Sequence, residues 1–466
     1  MSVTAVETDR WRETIAAELG DGARFAGGWA TGASWRVALV AADGTTRVLS
    51  CAAVDGHVPT IVDLLPAADW DEREAHDLHG LGFDGHEPLR ALVAHPEDPG
   101  AWMTPVHGDG VHEVAVGPIH AGVIESGHFR FHVVGERILA LDLRLFYKHR
   151  GLERAAEGRG VDEAMAYAGR ACAACAASNT VAYAHAVEEA LGLSPDRDLR
   201  VTRTLLLELE RLYNHLHDIG ALCAGVGFAP GTMAFAALKD RAQRINDELA
   251  GHRFLFGTVA VGVGALALGA EAVDVARSEL RELRADAAAG WRELEFAGSL
   301  QARLDDVGVL DHDAALRLGA SGPAARAAGV RTDARSESPR LWYGSAFTPA
   351  APREPTGDVA ARIELRATEL EATFESLDGL LARPTPAGTT TTTARPRSLG
   401  VGRVESPRGA TLAAVELAGD RIARLRLRTG SYANWPALAH AATGNLLPDF
   451  PLINKSFELC YACVDR

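Results

Sequence analysis

Two Cys-x-x-Cys pairs constrain this chain more than any other feature. Cys172-Ala173-Ala174-Cys175 stands before its middle, and Cys460-Tyr461-Ala462-Cys463 stands three residues from Arg466. Each pair can aim two thiolates at one point. Brought together they make a four-sulfur cage, which suits zinc, iron or nickel because thiolates are soft ligands. Such a fold must bury the segment that ends in Arg466, although chain ends are normally frayed. The other two of the six cysteines, Cys51 and Cys223, stand alone. That usage does not match a secreted disulfide framework and reads as metal or redox chemistry. Spacing alone leaves three readings open: a closed structural zinc site, a dithiol redox pair, or a redox-active metal.

A length of 466 residues implies two or more domains. The net charge of −15 argues against nucleic acid or an anionic lipid surface as the main partner. Residues 1 to 19 lack the apolar core of a signal peptide, so a cytoplasmic location is expected. The longest uncharged run, Phe254 to Ala270, holds four glycines and is short for a membrane span. No direct span is expected, and membrane association would have to come through partners.

The local patterns predict an α+β chain. Residues 1–95 read as a small α/β domain, with a helix from Val6 to Leu19 and strands at Trp35–Ala41 and Thr46–Ala52. Asp69 to His79 reads as a helix with an acidic start and a glycine stop at Gly80. Its His76 and His79, with His86, lack a thiolate or spaced carboxylate to complete a ligand set, so a solvated helix and turn is the preferred reading. Residues 96–110 form a Pro-, Gly- and Asp-rich linker. Residues 111–466 form a mainly helical domain with small antiparallel sheets. It opens with Gly117-Pro118-Ile119-His120-Ala121-Gly122, followed by a hairpin, Phe129–Val134 and Ile138–Leu145.

Helical spacing covers Ala176–Leu191, Val201–Leu222, Met233–Leu255, Ala270–Leu294 and Asp358–Leu381. The first cysteine pair therefore falls at a helix N-terminus, where free N–H groups and the dipole favour the thiolate. His215, on an amphipathic helix, is expected to be hydrogen-bonded rather than a ligand. Ser321 to Arg335 reads as a connection, and Thr389–Thr393, flanked by Pro384, Pro386 and Pro396, as a surface loop. Strands are expected at Thr411–Leu417 and Ile422–Leu427. Gly262, Gly264 and Gly269 do not follow a strand at dinucleotide-binding spacing.

Two sets of residues resemble known families. Trp70-Asp71-Glu72-Arg73-Glu74 through Asp77-Leu78, Gly80, Phe83, Gly85-His86 and Leu89-Arg90 resemble the signature of the 30-kDa subunit of respiratory complex I. Arg170-x-Cys172-x-x-Cys175, the closing Cys460-x-x-Cys463-x-x-Arg466, Glu405-Ser406-Pro407-Arg408-Gly409 and Arg150-Gly151-Leu152-Glu153 resemble the large subunit of a nickel–iron hydrogenase. Together they resemble the fused large subunit of the formate hydrogenlyase type, from Trp70 to Arg466.

The resemblance implies a nickel–iron centre whose iron carries carbon monoxide and cyanide, and heterolytic cleavage of dihydrogen. Cys172 and Cys460 would bind nickel terminally, and Cys175 and Cys463 would bridge nickel and iron. Arg408 would stand beside the open metal position, orienting rather than acting as a free base. Cys460 would be the first proton acceptor and Glu125 the next. Glu153 would stand where several relatives hold magnesium; those with the clearest magnesium site end in His, whereas here the last residue is Arg466. Maturation in the family leaves the chain ending at this point, with an extension removed or never present.

The pattern departs from the family at Ala173 for Gly, Asn179 for His, and Glu458-Leu459 for Asp-Pro. Asn179 can donate a hydrogen bond to a bridging sulfur or a diatomic ligand but cannot carry a proton. The implied partners are an iron–sulfur small subunit and membrane-embedded complex I-like subunits, which would hold the protein at the inner face of the cell membrane. The rival reading is a 49-kDa-type NADH-quinone oxidoreductase subunit. That metal-free, quinone-binding subunit keeps Gly117-Pro118-Ile119-His120 but replaces the cysteines and lacks hydrogenase activity; its quinone-contacting Tyr would fall near Ala173, where no Tyr stands.

Overall fold

The computed structural model describes residues 3–120, 125–344, 347–382 and 385–466. Ala121 and Gly122 of the expected opening motif, and Pro384, lie outside the described residues.

The first unit contains β1 (Val3–Val6), α1 (Trp11–Gly20), β2 (Arg24–Thr31), β3 (Ser34–Val40) and β4 (Thr46–Ala52). The sheet order is β1-β4-β3-β2, with β1 parallel to β4 and the other pairs antiparallel. The helix expected from Val6 begins only at Trp11, because Val3–Val6 pair with Val48–Cys51. Trp11 and Ile15 then bury against Trp35, Val37 and Leu49. Strand β2 was not anticipated. Its Gly28 leaves room for an indole: a Cβ there would lie 2.4 Å from the Trp35 ring. β5 (His57–Pro59) and β6 (Gly82–Asp84) pair parallel around α2 (Asp69–His79). α2 ends at Gly80 with φ 68°, the left-handed stop its sequence calls for. The segment that follows is anchored to this unit. Asp77 accepts the N–H groups of Leu92, Val93 and Ala94 at 2.8, 2.7 and 3.1 Å.

An antiparallel sheet follows: β7 (Val111–Val116), β8 (His128–Val134) and β9 (Arg137–Arg144). Next come α3 (Leu152–Ala156), α4 (Val161–Gly169), α5 (Ala176–Leu191), β10 (Leu193–Pro195) and the long α6 (Arg197–Gly225). Helices α7 (Ala229–Ala250), α8 (Ala270–Glu295), α9 (Gly298–Gln301), α10 (His312–Arg317), α11 (Gly322–Ala327), α12 (Ala334–Glu337) and α13 (Val359–Leu380) complete the helical body. The threonine run expected as a loop is at the surface, but Thr390–Thr392 form β11, antiparallel to β10. The stretch from Ser321 to Arg335 is no mere connection: it holds α11, α12 and two buried arginines, Arg326 and Arg335, which bind Glu369.

The last sheet is a meander of β12 (Leu399–Ser406), β13 (Gly409–Ala418) and β14 (Arg421–Arg428). It is followed by α14 (Gly430–Ala442), α15 (Phe450–Phe457) and α16 (Ala462–Asp465). One face of this sheet covers the first unit, where Leu399, Val401, Leu412 and Ala414 pack on Trp29, Ala38 and Val48. The other face receives α5. Gly400 and Gly402 allow that approach: a Cβ at either would lie 2.0 Å from the helix carbonyls of Ala186 and Ala182 respectively. α5 is therefore clamped between sheet and helical core, and the first cysteine pair leads into its N-terminus.

Candidate metal centre

The chain leaves α4 and enters a short 3-10 turn at Ala173–Cys175, headed by Cys172 in extended conformation, with Cys175 at the N-cap of α5. Arg150 fixes the approach by donating to the carbonyls of Arg170 and Ala171 at 2.9 and 2.8 Å. Asn214 Nδ2 donates to the Ala174 carbonyl at 2.8 Å. Glu210 accepts the N–H of Ala177 at 2.6 Å and of Ser178 at 3.1 Å, satisfying two of the free donors at the start of α5. Burial outweighs these bonds and pushes the Glu210 carboxyl up to about 7.

The second pair is placed by α15, which stops at Glu458 in a left-handed conformation (φ 50°). Cys460 N–H then donates to Ser431 Oγ at 3.0 Å, and Thr429 Oγ1 donates to the Cys463 carbonyl at 3.2 Å. Asp465 accepts the N–H groups of Phe146 and Lys148 at 2.8 and 3.0 Å. Cys463 through Arg466 are all buried.

The sulfurs of Cys172, Cys175, Cys460 and Cys463 lie within 4.8 Å of one another. Among the described residues no other group of three or more His, Cys, Asp or Glu converges in this way. The cage is lopsided. Cys172 and Cys460 line a cavity of about 550 Å³, together with Arg408, Glu125, His120 and Glu458. Cys175 and Cys463 do not line it and are 1% and 0% exposed. Each pair thus offers one sulfur to an open space and one to the interior, unlike a closed structural zinc site. Hydrogen bonds from Cys172, Cys175 and Cys463, with Arg408 nearby, hold Cys460 as thiolate well below the ordinary thiol range. Cys175 and Cys463 are pushed well up, through Cys172 first.

Arg408, at the end of the β12–β13 turn, donates to Asp218 Oδ2 and, at 3.1 Å, to Asn214 Oδ1. Burial would lower its pKa, but Asp218 and the cysteines keep it well above the ordinary value, so the guanidinium stays charged. Glu125, exposed at the cavity, accepts the Ala462 N–H at 2.8 Å. Lost hydration raises its carboxyl, against that hydrogen bond, and Cys460 adds to the rise. His120 Nε2 is bonded to the Gly127 carbonyl at 2.8 Å. Asn179, one helical turn beyond Cys175, is fully buried, and neither amide atom has a partner.

Elsewhere the expectations divide. His215 is hydrogen-bonded to Glu369 at 3.0 Å. His76 pairs with the Leu81 carbonyl, His79 with Arg424, and His86 with Asp69 and Glu72. Glu153 is not beside a ligand cluster: it accepts from Arg466 Nε at 2.7 Å and from the Leu427 N–H at 2.8 Å. The sequence reading did not single out Glu210, Asn214 or Asp218. A signal for them existed: they recur every four residues on α6, a polar stripe on a helix that is buried along most of its length.

Four soft donors with a charged guanidinium and a buried, unpartnered amide fit a thiolate-bound transition-metal centre with small polar ligands of its own. Fold and site together define the metal-bearing large subunit of a redox complex. The model of the respiratory-chain NADH dehydrogenase 49 Kd subunit matches residues 226–383 and 387–466, that of the 30 Kd subunit matches 36–109, and that of nickel-dependent hydrogenase matches 150–228. Hydrogenase-4 component G of Escherichia coli (strain K12) is 32% identical, over 88% of this chain and 76% of its own length. Formate hydrogenlyase subunit 5 of the same organism is 31% identical, over 88% and 77%. A chain of the membrane-bound sulfane sulfur reductase, an archaeal respiratory membrane complex, superposes with a TM-score of 0.71 at 26% identity, covering 78% of this chain and all of that one. The chain belongs to the large-subunit family of energy-converting nickel–iron hydrogenases of the formate hydrogenlyase type, which fuses parts similar to the 30 Kd and 49 Kd subunits of NADH dehydrogenase.

Proposed function

We propose that this chain is the catalytic large subunit of a multisubunit nickel–iron hydrogenase that interconverts dihydrogen with protons and electrons. The gathering of four cysteine sulfurs within 4.8 Å, two of them facing a cavity, carries the reading. Cys172 and Cys460 on the cavity side, and Cys175 and Cys463 on the interior side, would hold a nickel–iron centre whose iron carries carbon monoxide and cyanide. When bound, that centre supplies the soft, redox-active site at which dihydrogen splits heterolytically. Arg408 keeps a fixed positive charge over the open side and orients what enters. Cys460 Sγ takes the first proton and Glu125 Oε the next. The raised pKa of Glu125 and its place on the cavity wall suit it to exchange that proton with water. Asn179, buried with its amide unpartnered, would offer that amide to the centre, and His120 shapes the cavity wall. The chain divides at residues 96–110 between its two units.

Electrons must leave through an iron–sulfur small subunit, since Cys51 and Cys223 lie in separate apolar cores. Among the described residues no helix is long and apolar enough to cross a membrane. The similar solved chain comes from a respiratory membrane complex, and a relative 28% identical is a membrane-bound hydrogenase subunit, which supports membrane-embedded partners and a cytoplasmic, peripheral position at the inner face of the membrane. Elemental analysis of the purified complex, with hydrogen-dependent dye reduction, tests the reading. Nickel with iron and hydrogen-driven reduction are expected. Zinc alone would mark a structural site, and absence of metal would favour a quinone-type subunit.

A further inference from the structure

Glu74 on α2 and Glu153 on α3 come from opposite units of the protein and converge in its interior. A buried pair of carboxylates ordinarily calls for cationic compensation, because an unpaired buried charge costs several kcal/mol. Here two guanidiniums supply it. Arg466 donates through Nε to Glu153 Oε1 at 2.7 Å and through Nη2 to Glu74 Oε1. Arg426 on β14 donates to Glu74 Oε1 and stands 3.7 Å from Glu153 Oε1. Arg426 also reaches Asp71 Oδ1 at 3.0 Å, and Arg428 reaches Asp71 Oδ2 at 2.9 Å. The three carboxylates and three guanidiniums are all buried. The Tyr432 ring stacks against all three cations, at 4.9 Å from Arg466, 5.2 Å from Arg426 and 5.6 Å from Arg428. Burial alone would raise the Glu74 carboxyl, yet Arg426 and Arg466 draw it far below the ordinary range.

A divalent ion does not fit here. The charges of Asp71, Glu74 and Glu153 are already balanced by the three arginines, so an added ion would leave two uncompensated positive charges in a buried site. Magnesium also demands six oxygen ligands in octahedral array. Glu153 Oε1 is instead engaged by two N–H donors, and Arg466 lies between the two carboxylates.

We propose that the Arg466 side chain occupies the Glu74–Glu153 carboxylate pair in place of a divalent cation, so that the segment carrying Cys460 and Cys463 is locked without magnesium by an acid from the N-terminal unit. Arg466 stands three residues beyond Cys463, and its lock joins α2, α3 and β14 at one point. The lock is independent of what the sulfur cage holds.

The test uses the purified complex. Magnesium, manganese and calcium are counted separately from nickel and iron, and thermal unfolding is followed with and without EDTA or added MgCl2. No stoichiometric magnesium, manganese or calcium in this subunit and a midpoint indifferent to chelator and MgCl2 are expected. One tightly held equivalent of such an ion whose removal lowers the midpoint would overturn the proposal. Arg466→Gln removes one of the two positive charges from the pair. It should lower the midpoint by several degrees, and Glu74→Gln should do likewise although it lies far away in sequence. A midpoint unchanged in either variant would refute the lock, and the wild-type metal count decides the question even if a variant does not accumulate.

Discussion

Gly402→Ala tests whether the sheet–helix contact sets the sulfur cage. The added Cβ would lie 2.0 Å from the Ala182 carbonyl oxygen, 2.8 Å from the Ala186 nitrogen and 2.8 Å from the His185 Cβ. Ordinary contact begins near 3.4 Å, so α5 and β12 must separate by roughly 1.4 Å, and the obstructing atoms are backbone that no rotamer change relieves. Overpacking of a core costs about 1–3 kcal/mol. The upper end is expected here, because α5 is buried from Ala176 to Glu188. Cys175 is the N-cap of the same helix, so the displacement passes to a cage whose sulfurs span no more than 4.8 Å. The assay is a urea midpoint together with the nickel content of the purified protein. The variant should unfold earlier and retain less than about half the metal. Gly379→Ala, within α13 where a Cβ meets nothing within 4 Å, is the control and should be neutral or slightly stabilising. If Gly402→Ala matches the wild type in both midpoint and nickel, the reasoning that the glycine contact holds the cage is wrong.

Arg408→Lys keeps a positive charge but loses the fork that meets Asp218 and Asn214. Hydrogen turnover should fall by about 10²-fold with metal content unchanged, measured as dye reduction per nickel. Glu125→Gln should slow hydrogen–deuterium exchange by about 10²-fold or more while nickel is retained; an unaltered exchange rate would remove Glu125 from the proton route. Glu210 has a folded-state pKa raised from 4.5 to about 7, so its contribution to stability is fully present below pH 4.5 and is lost as pH rises through 7. The difference in unfolding free energy between wild type and Glu210→Gln should therefore decline by roughly 3 kcal/mol across that window and stay flat above it.

Much of the chemistry was legible because it rests on residue type and local spacing. Cys-x-x-Cys fixes two sulfurs within a single turn, so the pairs announce a cage before any fold is known. Helical periodicity located α5, α6, α7, α8 and α13 to within a few residues, since one apolar stripe is enough to define each. Among the strands that escaped notice, β2 and β12 are those in which glycine replaces the alternating side chains on which such a reading depends, whereas β5, β6, β10 and β11 are three residues each and too short to show an alternation. The first two are glycine-bearing because another element lies flush against them, Trp35 on β2 and α5 on β12. The extra turn of helix expected before Trp11 failed for a related reason. Val3–Val6 can add to a sheet edge only once β4, more than 40 residues later, is in place.

The amino-acid order raised the expectation that four thiolates meet, that a helix N-terminus presents two of them, and that the segment carrying the second pair is buried. It could not say what would neutralise the charges around them. Asp218 became the partner of Arg408, and Glu74 the partner of Arg466, only when helices distant in sequence were packed together. Spacing can mark one member of a buried ion pair, as it does Asp218 on α6, but not its partner, because the two are brought together only when folding strips both of water and makes each depend on the other.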